Sequence, residues 1–131
     1  MSEENVEIVR RWIEAYNGRD TEGLIGVTDP DFEFRSIFVG IETIFRGHEG
    51  MHTYFAEIDE AYDRFQVIPN DLIDAGAAVL MAANAQWRGK GSGVEGETPI
   101  LTAFWLRAGK TFRAETFTDR GKALEAVGLS E

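Results

Sequence analysis

Three stretches of this chain carry residue types that could do chemistry. The first is His48-Glu49-Gly50-Met51-His52, which has the H-E-x-x-H spacing. On a helix, two histidines four apart share a face and can hold zinc, with the glutamate as general base. A zinc site needs a third ligand, and with two histidines and no cysteine in the chain it would have to be a carboxylate. Gly47 and Gly50 place the motif at a helix entry. We read it as an exposed first turn and expect no metal there. The second stretch is Gly89-Lys90-Gly91-Ser92-Gly93. A phosphate cradle needs a helix N-terminus after its glycines. A strand-like run follows here, so a hairpin connection is the better reading, and no cofactor is expected. The third is Arg113 with Glu115, on one parity of a late strand. Turned inward, the two could form a site. Turned outward, they are a solvated pair contributing well under ~1 kcal/mol.

The elements that must position these residues can be read from periodicity. Val6, Val9, Ile13 and Tyr16 recur at helical spacing after a possible cap at Ser2, and Asn17-Gly18 ends that helix. Asp20 can cap a short second helix bearing Leu24, stopped at Asp29-Pro30. Asp31 to Phe38 alternates as a strand with Phe32, Phe34 and Ser36 on one face. A third helix is expected over about His48 to Arg64, with Met51, Tyr54, Phe55, Ile58 and Ala61 as its buried stripe.

Strands dominate the remainder. Phe65 to Ile73 contains Pro69, a sign of a bulge or an edge. Val79 to Arg88 alternates, with Val79, Met81, Ala83, Ala85 and Trp87 on one face. The stretch Val94 to Asp119 holds a hairpin turning at Ala108-Gly109-Lys110. Its first arm is apolar on both parities: Ile100, Thr102, Phe104 and Leu106 against Leu101, Ala103 and Trp105. Such a strand must be covered on both sides. Asp119 then caps a last helix closed by Gly128. Helices followed by antiparallel strands and a terminal helix make an α+β domain spanning residues 1–131.

Bulk composition narrows the classes of function. The 131 residues are 44% hydrophobic, enough for one sizeable core. Absent cysteine excludes disulfides and thiolate metal sites. The net charge of −10, with no basic stripe, disfavours nucleic acid and anionic membranes as partners. The N-terminus MSEENVEIVRRW has acids where a signal peptide has bases, so a cytoplasmic location is expected.

EIVRRWIEAYNGRD, DPDFEFRS, FRGHEGMHTYF, LIDAG, GKGSGVEGE and LRAGK running into FTDRGKALEAVGL stand in an order that resembles the nuclear transport factor 2-like superfamily, in its SnoaL-like branch. The resemblance covers essentially the whole chain. It implies a cone-shaped barrel: a bent antiparallel sheet wrapped around three N-terminal helices, with a short C-terminal helix and a mostly apolar cavity open at one end. It also implies pairing through the convex sheet face, here around Leu101, Ala103, Trp105 and Phe117, and it turns Arg113 and Glu115 outward.

The resemblance does not carry the family's chemistry with it. Ketosteroid isomerase-like members use a helix-one tyrosine donor, a base aspartate and a second acid, which fall here on Trp12, Ser36 and Thr102 (Leu101 if the register slips by one). The acid of epoxide hydrolase-like members falls on Thr116, and their Arg/Asp pair belongs on Val79–Trp87, whose inward set is apolar. The expected pocket is therefore Trp12, Tyr16, Phe34, Ser36, Tyr54, Trp87, Thr102, Phe104 and Thr116. Each aromatic in that set can equally be plain core. The leading expectation is a small dimeric protein holding a compact, mostly apolar molecule, oriented by the hydroxyls and the indole. The alternatives are a polyketide cyclase-like or ketosteroid isomerase-like enzyme, and a non-catalytic pairing module.

Overall fold

The computed structural model describes residues 2–129. Helix α1 (Ser2–Gly18) buries Val9, Trp12, Ile13 and Tyr16, which the 3.6-residue period places on one face. The expected Ser2 cap rests on a side chain outside the described residues. Past the end of α1, Arg19 takes a left-handed φ of 53° and folds its guanidinium back, donating to the Tyr16 carbonyl at 2.9 Å. That contact satisfies one of the carbonyls a helix end leaves open. Helix α2 (Thr21–Gly26) is capped as expected, Gly23 N–H donating to Asp20 Oδ1 at 3.0 Å.

Strand β1 (Thr28–Arg35) begins and ends three residues earlier than the alternation predicts, and it contains Asp29-Pro30. Its neighbour in the sheet is β6 (Lys110–Phe117), with Thr28 opposite Thr111 and Glu33 opposite Arg113. Five steps along β1 thus match two along β6. The surplus bulges out around Pro30, which has no N–H to offer the ladder. The chain leaves the sheet at Ser36 and returns as β2 (Phe45–Arg46), antiparallel to β1.

Helix α3 (Gly47–Ala61) buries Met51, Tyr54 and Ile58. It stops short of the expected Arg64 because Tyr62 is already extended and opens β3 (Tyr62–Asp74). Ala61, expected in the buried stripe, is consequently exposed. Strands β4 (Ala78–Gly89) and β5 (Glu95–Arg107) follow, and the sheet order is β2-β1-β6-β5-β4-β3. The expected α+β architecture with a curved, mainly antiparallel sheet is present, with two details corrected. The β1–β6 pair is parallel, so the sheet is mixed; these strands are separated by most of the chain and no hairpin joins them. The sheet is also open, with β2 and β3 as edges, so it is a curved, unclosed surface and not a barrel. Pro69 sits on the β3 edge beside a register shift, where a missing donor is tolerated.

The β5–β6 turn uses two left-handed residues, Ala108 at φ 50° and Gly109 at φ 76°, the signature of a type I′ hairpin. Thr102, Phe104 and Leu106 of β5 are buried toward the helices. On the opposite parity, Ala103 packs with Leu80 against Ala123 and Leu124 of helix α4 (Arg120–Ala126), and Leu101, Trp105 and Phe117 flank them. Asp119 caps α4 through Lys122 N–H at 3.1 Å. The chain's own last helix therefore covers part of the convex face, and Ala103 is fully buried beneath it.

Candidate interior site

Between the concave face and helices α1 and α3 lies a cavity of about 20 Å³. That is room for little more than a water molecule. Eight of the nine expected pocket residues surround it: Trp12 and Tyr16 from α1, Phe34 and Ser36 from β1 and its end, Tyr54 from α3, Thr102 and Phe104 from β5, and Thr116 from β6. Trp87 does not join them. Its ring lies on Gly96, where an added Cβ would sit 2.3 Å from Trp87 Cζ2, and its indole donates to Thr98 Oγ1 at 3.1 Å. Also on the wall, though absent from the expectation, are Ile13, Phe38, Phe65, Val67, Met81 and Ile100. Ile13, Met81 and Ile100 stand on inward parities that the sequence pattern already marks. Phe38 shares the parity of Phe34 and Ser36 in the strand expected over Asp31–Phe38, but β1 ends at Arg35, so a loop and not the strand carries it to the wall.

The polar groups of the cavity are neutral and mutually bonded. The Tyr16 and Tyr54 hydroxyls bond to each other, and Ser36 bonds Tyr54. Ser36 Oγ also accepts from Phe38 N–H at 3.1 Å. The Thr102 and Thr116 hydroxyls meet at 3.1 Å. Burial pushes the Tyr16 hydroxyl well above the ordinary tyrosine range. Burial likewise pushes Tyr54 up to about 12, against the opposing bonds from Tyr16 and Ser36. Both stay protonated near neutrality. Among the described residues, no buried side-chain nitrogen or oxygen lacks a partner.

The indole corrects one expectation. Trp12 Nε1–H donates to Thr28 Oγ1 at 3.1 Å, and the Thr28 hydroxyl donates to the Leu24 carbonyl at 2.6 Å. It is therefore committed to the α2–β1 junction and not free to orient a guest. The Trp12 ring still forms wall, stacked 5.6 Å from Tyr16 and edge-on to Phe104 at 5.1 Å.

None of the lining residues is Asp, Glu, His, Lys or Arg. The Arg19 guanidinium bears on both phenols and stands 5.6 Å from the Tyr16 ring centre. It lies outside the lining, 4.7 Å from the Phe55 ring centre, with Asp59 Oδ1 at 3.7 Å. The H-E-x-x-H residues stand at the start of α3. His48 Nε2 is 3.0 Å from the Thr28 carbonyl, and His52 and Glu49 are exposed. No cluster of three potential metal ligands occurs among the described residues. The glycine-rich stretch is a hairpin connection docked on the end of α3: Lys90 N–H donates to the Ala61 carbonyl and Lys90 Nζ to the Asp59 carbonyl. A cation is favoured at that helix end. Arg113 and Glu115 lie on the outer face, 3.4 Å apart along one strand, with the guanidinium over Trp105 at 4.6 Å.

This arrangement can give and accept neutral hydrogen bonds inside an apolar wall. It has no group to take a proton at neutral pH.

A curved sheet enclosing helices around such a cavity defines a nuclear transport factor 2-like α+β domain. The SnoaL-like domain family matches residues 9–114, and the chain belongs to that family. Solved structures of the same fold include an NTF2-like protein of unknown function from Burkholderia pseudomallei K96243, with 16% identity, TM-score 0.80 and coverage of 95% of this chain and 98% of that one. TerC, co-crystallised with polyporic acid, is similar at 20% identity and TM-score 0.80, again over 95% and 98%. A SnoaL-like polyketide cyclase from Jannaschia sp. CCS1 is similar at 22% identity and TM-score 0.75, over 99% and 95%. No curated protein matches the chain.

Proposed function

We propose that this chain binds a compact, neutral, mostly apolar molecule in the interior cavity. The observation behind this reading is the lining itself: a ring-rich wall with two hydroxyl pairs and no ionisable side chain of ordinary pKa. Aromatic walls supply contact area, and a few placed hydroxyls fix orientation. Tyr16 and Tyr54, held protonated by burial, are suited to donate to a carbonyl or hydroxyl oxygen of the guest. A carboxylate would lose its hydration with no cation to replace it. That TerC, of the same fold, was co-crystallised with polyporic acid supports a bound guest and leaves its charge to the test that follows. Binding requires the cavity to widen, since ordinary ligand sites run to hundreds of Å³.

The test is a calorimetric titration with acetophenone and benzoate, which share shape and differ in charge. Acetophenone is expected to bind at least about tenfold more tightly, a modest part of a carboxylate's desolvation penalty. Tighter binding of benzoate would reject the reading.

The small cavity favours a second reading, a pairing module without a ligand. A second copy would then meet the convex face at Leu101, Trp105 and Phe117, which α4 leaves half-exposed. Sedimentation equilibrium of the chain, alone and with Trp105→Glu, tests it: a dimer that the substitution dissolves supports pairing. A monomeric wild type rejects it. A polyketide cyclase-like or ketosteroid isomerase-like enzyme needs an acid or base at the guest, and the lining supplies none.

A further inference from the structure

Part of the cavity wall comes from a loop and not from the sheet or the helices, held to the core by the apolar packing of Ile37, Phe38 and Val39. Of the lining residues, only Ser36 and Phe38 lie outside a helix or strand. Ser36 is buried and bonded to Tyr54. Phe38 is less constrained. Beyond the bond of Ser36 to Tyr54, Phe38 N–H donates to Ser36 Oγ and Thr43 N–H to the Gly40 carbonyl, both within residues 36–44. Its ring meets Phe65 edge-on at 4.9 Å, reaching from the end of β1 to the start of β3. Farther along, Gly40 (φ 58°) and Glu42 (φ 70°) are left-handed and fold the segment back over Phe45. The segment is thus fastened at Ser36 and at Phe45, with Phe38 between them.

We propose that Phe38 is the gate of the cavity: swinging its ring off Phe65 opens the interior, and the size of the residue at position 38 sets what enters. Such an opening breaks apolar contact but no sheet ladder, which places it among the low-cost local fluctuations of a fold. In purpose the gate rests on the binding reading; its test does not.

The chain lacks cysteine, so one introduced thiol is a unique reporter. Thr102→Cys puts a thiol on the cavity wall. Thr111→Cys puts one in the core beside Val27, outside the cavity. Alkylation by iodoacetamide is timed for each, with and without Phe38→Ala. The gate predicts at least about tenfold faster alkylation at position 102 and no change at position 111. Phe38→Leu, a milder change, should fall between. Equal rates at position 102, or equal acceleration at both positions, would overturn the gate. Acetophenone is then added to the Phe38→Ala form. Fast alkylation that it fails to slow leaves the gate standing and counts against the binding reading.

Discussion

Tyr16 of α1 and Tyr54 of α3 join hydroxyl to hydroxyl inside the cavity, linking the two helices that form one side of it. Their burial fixes how stability responds to alkali. In the unfolded chain both phenols lose protons near 10.0, whereas the folded chain holds Tyr54 to about 12 and Tyr16 well above 10.0. Between those values the unfolded state binds fewer protons, so stability falls as pH rises. The Tyr54 contribution is whole below pH 10 and is lost from about pH 10 to 12, and that of Tyr16 declines in the same direction above pH 10. Tyr54 alone accounts for roughly 3 kcal/mol over that window. Urea denaturation from pH 8 to 11.5 should show the decline, with a shallower slope in Tyr54→Phe. A flat profile would mean that the phenols are not buried as described.

Removing either hydroxyl leaves the other without its main partner. Tyr16→Phe and Tyr54→Phe should each destabilise by about 1–2 kcal/mol, and the double variant by less than the sum. Additive losses in chemical denaturation would show that the two do not interact.

Asn17 acts as a short substitute strand. Its side chain donates to the Val67 carbonyl at 2.7 Å and accepts from Val67 N–H at 2.9 Å. It thereby ties α1 to the free edge of β3. Asn17→Ala should destabilise by about 1–3 kcal/mol, since both backbone groups lose their partner. Hydrogen exchange at the Val67 amide should quicken more than at Val79, buried near the start of β4. Equal protection at Val67 in both forms would contradict the tie.

Gly40 needs both its left-handed φ and its missing side chain, because a Cβ there would sit 2.5 Å from Phe45 Cζ. Gly40→Ala is expected to destabilise by about 1–3 kcal/mol through strain and displacement of Phe45. Gly76 is also left-handed, but a Cβ there would meet nothing within 4 Å, so Gly76→Ala should cost less. A milder effect at position 40 than at position 76 in thermal unfolding would be inconsistent with this packing.

What the sequence made legible follows the physics of its signals. Apolar periodicity placed Tyr16 and Tyr54 on buried helix stripes, where the structure has them, and the resemblance chose the inward parity of Phe104. Capping chemistry at Asp20 and Asp119 marked two helix starts. Ser36, Thr102 and Thr116 reached the expected pocket through resemblance, because a hydroxyl carries no periodic signature of its own. Trp87 shares the inward parity of Met81, but it lies near the end of β4, where Gly96 leaves its ring a place to settle. Parity says which face a residue takes, not how far along the strand the cavity extends. The parallel β1–β6 pair and the bulge at Pro30 arise from long-range pairing, on which local pattern is silent. Phe38 had the parity of Phe34 and Ser36, but parity alone did not make it wall: β1 stops at Arg35, and its place depends on how a loop folds over an enclosure that only the assembled fold creates.

The most direct test of an uncharged holding cavity is a crystal structure of the chain grown with acetophenone. The prediction is a ring among Trp12, Phe34 and Phe104, its carbonyl oxygen about 2.8 Å from a hydroxyl of Tyr16 or Tyr54, and Phe38 turned away from Phe65. An interior still empty at saturating ligand, or a guest found beside an Asp, Glu or His carried into the cavity, would contradict it.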